Sequence, residues 1–301
     1  MKIKQLLLLF GKLLAAVFSI FALSHFCEKQ TKGFRLHYIT SNLPNDPRWE
    51  VPPLAQEEQA RIDALLDQPF TYLDRGGWCF AFLGQDQKTI LKFYRHTHLL
   101  FDTLFSPFSF QNLVMKCSPL PQGTPYFQEF NFKSCALLYE KAKERTGLLY
   151  VHLNKTEGKH KPVTLIDNIG IRHTIDLDKT EFVIQKKATL LFDHIDRLAK
   201  KKKVNEAKQS LDDMLDCLLT LYKQGLRDLD QSLRNNFGYT EEGAVTLDLS
   251  SFAFDESLKK PGEYRKELIL KTQRLSRFLR KNYPDLQTYF EGRLSEITEN
   301  G

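Results

Sequence analysis

The sequence predicts an α+β fold, in which a strand-rich first half built on a small antiparallel sheet delivers the chain into a reduced, mostly helical second half. Three observations carry that expectation. Short β-type runs bounded by turns recur from Phe70 to Ile184. Apolar residues at helical spacing then dominate, with Leu211, Leu215, Leu218 and Leu221 on one face of a single pattern. Over 301 residues the hydrophobic share is 42%, enough to bury a core in one large or two small domains. The expected segments are a signal-like or membrane segment (1–27), a linker with a lead-in helix (28–68), a sheet-based unit (69–186) and a helical unit (187–301).

In the first segment Lys2, Lys4 and Lys12 precede an apolar run from Leu13 to Ser24. The run has the length of a signal-peptide h-region, and Ala22-Leu23-Ser24 makes a passable cleavage site. Counted from Leu6, with Lys12 reaching toward the headgroups, the same stretch is a short membrane span. Phe26 before Cys27 argues against a lipoprotein anchor. The expectation is membrane association, with export as the alternative. Pro44, Pro47, Pro52 and Pro53 then break any period until a helical pattern from Gln56 to Leu66.

Residues 70–95, FTYLDRGGWCFAFLGQDQKTILKFYR, place β-type runs around glycine-bearing turns. Gly76-Gly77 lets a hairpin backbone approach phosphate groups. Lys92, inside Ile90-Leu91-Lys92-Phe93, is a cation in an apolar strand, which costs free energy unless it meets a partner. A Phe-rich insertion without clear period runs from His96 to Pro125. After it, YFQEFNFKSCALLYEKAKERTG reads as an amphipathic helix ending at Gly147, with Phe130, Leu137, Leu138 and Ala142 apolar. Leu148–Leu153, Val163–Ile166 and Glu181–Ile184 complete the sheet, and His152, between apolar neighbours, reads as a structural histidine.

The helical half opens with Leu190–Leu198 and Val204–Gln224. Between them Lys200-Lys201-Lys202-Lys203 forms a solvated connection that, beside an anchored N-terminus, can meet anionic lipid at about 1 kcal/mol per charge. A linker, a helix from roughly Gly262 to Arg280 and a short helix after Pro284 end the chain. The net charge of +6 is modest, suited to acidic surfaces or phosphates without calling for nucleic acid. Five cysteines (Cys27, Cys79, Cys117, Cys135, Cys217), odd in number and widely spaced, favour a reducing compartment for the folded part.

The stretch that organises these parts is Gly225–Phe252, GLRDLDQSLRNNFGYTEEGAVTLDLSSF. Asp228 and Asp230 follow the end of a helical run, Asn235 and Asn236 come next, and Asp248 closes the β-type run Ala244–Leu247. Asp230 and Asp248 stand 248 − 230 = 18 residues apart. At these residues the sequence resembles the protein-kinase-like superfamily, and more closely an atypical branch in which Asp-x-Asp, a spacer, Asn-Phe-Gly and a later Leu-Asp stand for HRDxxxxN and DFG. It departs from the typical pattern in lacking a histidine before the loop acid, in reading Asp248-Leu249-Ser250 at the metal motif, and in lacking an APE sequence.

The resemblance implies a two-lobed protein-kinase-like fold binding ATP and Mg²⁺. It makes Lys92 the ligand of the nucleotide phosphates beneath Gly76 and Gly77. Glu129, or failing it Glu140, would position Lys92. FVIQKK (182–187) becomes the interlobe hinge, with Gln185 and Lys187 at the nucleotide. Asp230 or Asp228 would orient the acceptor hydroxyl, and Asn236 and Asp248 would hold the metal. The activity implied is phosphotransfer to an unidentified hydroxyl of a small molecule, a lipid-linked sugar or a protein. The alternative from another class is a pseudokinase-like module that recruits a partner at a membrane.

Overall fold

The computed structural model describes residues 3–41, 43–96 and 128–299. The chain is a mixed α+β protein organised on a seven-stranded sheet. An apolar helix, Ile3–Gln30, leads it. One stretch of that helix, Leu8–Gln30, is long and apolar enough to cross a membrane, and its described side chains are exposed. Immediately after it the chain is riveted to the sheet: Phe34 is buried, with its ring edge-on to Phe80 at 5.3 Å and Phe82 at 5.2 Å. The lead-in helix Gln56–Leu66 buries Ile62 and Leu66, one turn apart on the same face.

The strands are β1 (Phe70–Arg75), β2 (Cys79–Gly84), β3 (Thr89–Tyr94), β4 (Leu148–His152), β5 (Val163–Ile166), β6 (Arg172–Ile175) and β7 (Phe182–Lys186), in the order β4-β7-β3-β2-β1-β5-β6. The sheet is not purely antiparallel, as the sequence suggested, because β5 runs parallel to β1 through Phe70↔Leu165 and Thr71↔Ile166. The reason is topological. Antiparallel steps from β4 through β7, β3 and β2 leave β4 and β1 pointing the same way. The chain leaving β4 crosses to the far edge instead of turning back as a hairpin, and so arrives parallel. Strand β6 is also additional; it is mostly exposed and, among the described residues, pairs with β5 alone, so it lacks the apolar alternation that reveals a strand.

Alternation along each strand divides the core in two. Leu91 and Phe93 of β3 with Phe182 and Ile184 of β7 join Phe34, Phe80 and Phe82 on one face. Tyr94, Val151 and Val183 turn to the other, against Cys135, Leu138 and Ala142 of the Lys133–Thr146 helix. That helix ends at Gly147 in the left-handed region at φ +63°, as its C-terminal glycine led one to expect. Residues 97–127, almost all of the Phe-rich insertion and with it Cys117, lie outside the described residues.

The helical core continues through Leu191–Lys200 and Val204–Lys223, then Pro261–Asn282 and Pro284–Glu299. Lys200 to Lys203 join the first two, with Lys200 paired to Asp196 at 2.6 Å and Lys203 to Glu206 at 2.8 Å. The short strand β8 (Thr189–Leu190) precedes the first pair, and β9 (Leu226–Asp228), β10 (Phe237–Thr240), β11 (Gly243–Thr246) and β12 (Phe252–Phe254) lie between the pairs, arranged as β11-β10-β8 and β12-β9. At Gly238 the backbones of β10 and β8 come so close that a Cβ would lie 2.6 Å from the Thr189 carbonyl, so only glycine fits.

Candidate functional site

Ala81, Lys92 and Val183 stand directly opposite one another across β2, β3 and β7. This row, on the face away from the aromatic core, lines a cavity of about 490 Å³. The Gly76-Gly77 turn and Trp78 border it on the sheet side; Asp230, Asn236 and Asp248 border it from the helical side. The volume is that of a small-molecule site. Four residues singled out in the sequence, a strand lysine, two acids and an asparagine, are thus drawn to one place from separate elements.

The contacts within this group are specific. Lys92 Nζ donates to the Leu247 carbonyl at 2.9 Å, so the cation in the strand finds its partner across the cavity, next to Asp248. Asn236 Nδ2 donates to Asp230 Oδ2 at 2.8 Å and approaches Asp248 Oδ2 at 3.5 Å, which sets it between the two acids. Its carbonyl accepts from the Leu247 amide at 2.8 Å, coupling the loop to the strand that delivers Asp248. Of the two asparagines, Asn236 is the one bonded to Asp230, although Asn235 also borders the cavity. Asp230 Oδ1 accepts from the Ser232 amide at 2.8 Å, and Asp248 Oδ1 from the Ser250 amide at 3.0 Å and hydroxyl at 2.6 Å. These local turns hold each Oδ1 and leave each Oδ2 toward Asn236. The two carboxylates are hard oxygen donors of the kind Mg²⁺ takes, and Asn236 bridges them through its amide nitrogen; its Oδ1 would join the oxygen set only with the amide turned over.

Asp228 is placed differently. It is buried behind the loop, ion-paired with Lys271 from the Pro261–Asn282 helix, and accepts from the Ser251 hydroxyl at 2.5 Å and the Asp230 amide at 3.0 Å. Lys271 also donates to the Asp230 carbonyl. Burial pushes the Asp228 carboxyl above its ordinary range, against the pull of Lys271. Asp228 therefore does not border the cavity; it braces the backbone that presents Asp230. Lys271 was not singled out in the sequence, although a lysine at the spacing of Leu268 and Leu275 on an apolar helix face was the available signal.

Of the hinge stretch, Val183 borders the cavity, but Gln185 and Lys187, the two residues expected at the nucleotide, are not among its lining residues. Gln185 is buried, its Nε2 donates to the Thr146 carbonyl at 2.6 Å, and it stands opposite Ile90 on one side and Leu148 on the other. The amides of Lys186 and Lys187 donate to Gly147 at 2.8 Å and Lys88 at 2.7 Å. Strand β7 runs on to Lys186, so pairing engages backbone groups that the resemblance had assigned to a ligand. Glu129 lies in a π-turn, Gln128–Phe132, and its side chain lies outside the described residues. Glu140 is exposed beside Lys141 at 3.4 Å. Neither Gly76 nor Gly77 adopts positive φ, and their carbonyls accept from Arg95 at 3.0 and 3.2 Å. Cys79, at the cavity wall, has its thiol pushed up by burial, which keeps it protonated and poorly nucleophilic.

No protein-family model matches the sequence, and no curated protein matches it. Among solved structures, the medium-resolution structure of the bifunctional kinase-methyltransferase WbdD is similar at 15% sequence identity and a TM-score of 0.30, over 71% of this chain and 42% of that one. The match spans less than half of that protein, and a likeness of this extent decides neither fold nor activity.

Proposed function

We propose that the chain is a two-lobed, kinase-like phosphotransferase that uses ATP and Mg²⁺ to phosphorylate a hydroxyl acceptor at a membrane. The observation that carries this reading is the meeting of Lys92, Asp230, Asn236 and Asp248 in one cavity beside the Gly76-Gly77 turn. When bound, ATP with Mg²⁺ supplies the transferable phosphoryl group and the charge that offsets its oxygens. Lys92 holds the phosphates electrostatically from the sheet side. Asp248 and Asn236 hold the metal from the other. Asp230 orients the acceptor hydroxyl and receives its proton, and Asp228 with Lys271 fixes the loop from behind. Positioning and charge neutralisation account for the catalysis, without covalent participation of the chain.

The N-terminal helix supports the membrane part of the reading. Its apolar stretch of 23 residues spans about 34 Å at ~1.5 Å per residue, against about 30 Å of hydrocarbon. Where the helix ends, Asn168 Nδ2 holds the Gln30 carbonyl at 2.7 Å, and Lys29 and Lys32 share a depression with Asp74 and Arg75, which also border the main cavity. A membrane-held helix would thus keep the cavity close to the bilayer. The free thiols at Cys79, Cys135 and Cys217 suit a reducing side.

Thermal unfolding of the full-length chain in detergent micelles, with and without ATP and Mg²⁺, tests the proposal. Ligand at a hundred times its dissociation constant stabilises by about 2.7 kcal/mol. The expected result is a metal-dependent shift that Asp248→Ala abolishes. No shift at saturating ATP would leave the partner-recruiting module as the better reading.

A further inference from the structure

We propose that His152, His160 and Asp178 form a structural binding site for a divalent transition-metal ion of the zinc class, separate from the cavity. His152 ends β4, His160 lies in the connection to β5, and Asp178 sits in the turn Leu177–Lys179 ahead of β7. All three are buried, and each offers a ligand atom within 4.8 Å of the others. Tetrahedral ligands of zinc stand about 3.4 Å apart, given bonds of about 2.0–2.1 Å, so side-chain adjustment alone closes the set. None of the three borders the cavity that holds Lys92.

The proton count among these groups leaves room for a cation. His152 Nδ1 lies 3.0 Å from the Thr180 carbonyl, which can only accept, so Nδ1 carries the hydrogen. In the neutral ring Nε2 is then a bare acceptor, 3.2 Å from the Thr156 hydroxyl. That hydroxyl has a single proton and lies 2.5 Å from Asp178 Oδ1, which competes for it. His160 is 7% exposed; its Nε2 meets the Tyr150 hydroxyl at 3.2 Å, whereas its Nδ1 is buried with no hydrogen-bond partner among the described residues. Each buried ring thus keeps a nitrogen that no carbonyl engages, Nε2 of His152 and Nδ1 of His160. Two neutral imidazoles and a carboxylate form a nitrogen and oxygen set suited to zinc or its first-row neighbours.

The surroundings resemble the outer sphere such ions require. The Thr180 carbonyl orients His152 through Nδ1, and the amides of Lys159 and His160 hold the Asp178 carboxylate at 3.1 Å each. An ion here would tie the β4–β5 connection to the turn that feeds β7, the strand carrying Val183 to the cavity. Its role is to clamp the sheet, with Thr156 or water in the fourth position.

Cobalt titration of the full-length chain, stripped by chelation in detergent micelles, decides the matter. The expected result is one Co²⁺ per chain, visible d–d bands of a tetrahedral nitrogen and oxygen site, displacement by Zn²⁺ and a higher unfolding temperature. His160→Gln should weaken binding by more than the roughly tenfold to hundredfold typical of outer-sphere changes. Absence of saturable binding in the wild-type chain would overturn the proposal, as would undiminished binding by a folded His160→Gln chain. A thiolate-to-cobalt charge-transfer band would assign the ion to cysteines and overturn it equally. Should the variant fail to fold, the wild-type spectrum and stoichiometry still decide.

Discussion

On β3, Leu91 and Phe93 face one way and Lys92 and Tyr94 the other, and the two faces of the sheet are put to opposite uses. The first is closed by aromatic packing among Phe34, Phe80, Phe82, Phe93 and Phe182. The second leaves the row Ala81, Lys92, Val183 facing an open cavity, where a cation is tolerable because a carbonyl and two carboxylates lie opposite. The closed face supplies rigidity and the open face supplies chemistry. The acid loop repeats the division within three residues, Asp228 being buried as a brace and Asp230 left at the cavity wall.

Replacing acids on the two sides of that division should separate them most sharply. Asp230→Asn is expected to lower phosphotransfer by about 10²- to 10⁴-fold with nucleotide binding retained. The comparison breaks if Asp228→Asn does the same while stability is unchanged. Next in size is the brace: Asp228→Ala leaves Lys271 buried without its partner, and should cost about 3–5 kcal/mol in denaturant unfolding. Adding Lys271→Met to it should recover a large part, since the stranded charge is removed. On the closed face, Ile184→Val should cost about 1 kcal/mol and leave nucleotide affinity alone. On the open face, Lys92→Met should change stability by less than about 1 kcal/mol and abolish the nucleotide-dependent thermal shift.

The smallest expected effect is a pH dependence in the floor of the helical half. His194 stacks on Tyr239 with centroids 4.2 Å apart, and its Nδ1 lies 3.0 Å from the Arg197 guanidinium. Burial first, and then Arg197, lowers its pKa. The unfolded chain therefore takes up the proton at a higher pH than the folded one. This contribution to stability is complete above the unfolded value of about 6.5 and declines as pH falls below it. Unfolding midpoints of wild type and His194→Gln from neutral pH downward should converge as the wild type loses this advantage.

Much of the architecture was legible locally. The helix before Gly147, the strand around Lys92, the long helix from Val204 and the exposed leading helix each carry their own period or cap. The parallel pairing of β5 was not legible, because strand direction depends on where a connection crosses and not on the residues of the strand. Strand β6 was hidden by its polar, edge position. The course of β7 past Gln185 was not legible either, because a strand's end depends on its neighbours' ladders, here Gly147 and Lys88 accepting the next two amides.

By itself, the sequence determined most of the longer strands and helices, that the leading helix carries a long apolar run, that Lys92 sits inside an apolar strand, and that Asp230, Asn236 and Asp248 stand at or just past the ends of elements. Only the tertiary structure decided which acid meets the cavity. Asp228 and Asp230 share a loop and a residue type, and nothing within that loop distinguishes them. The difference comes from Lys271, 43 residues away, whose ammonium arrives on a separate helix to neutralise one carboxylate in the interior. A buried charge persists only where a partner is brought to it, and that partner is chosen by packing between elements distant in sequence.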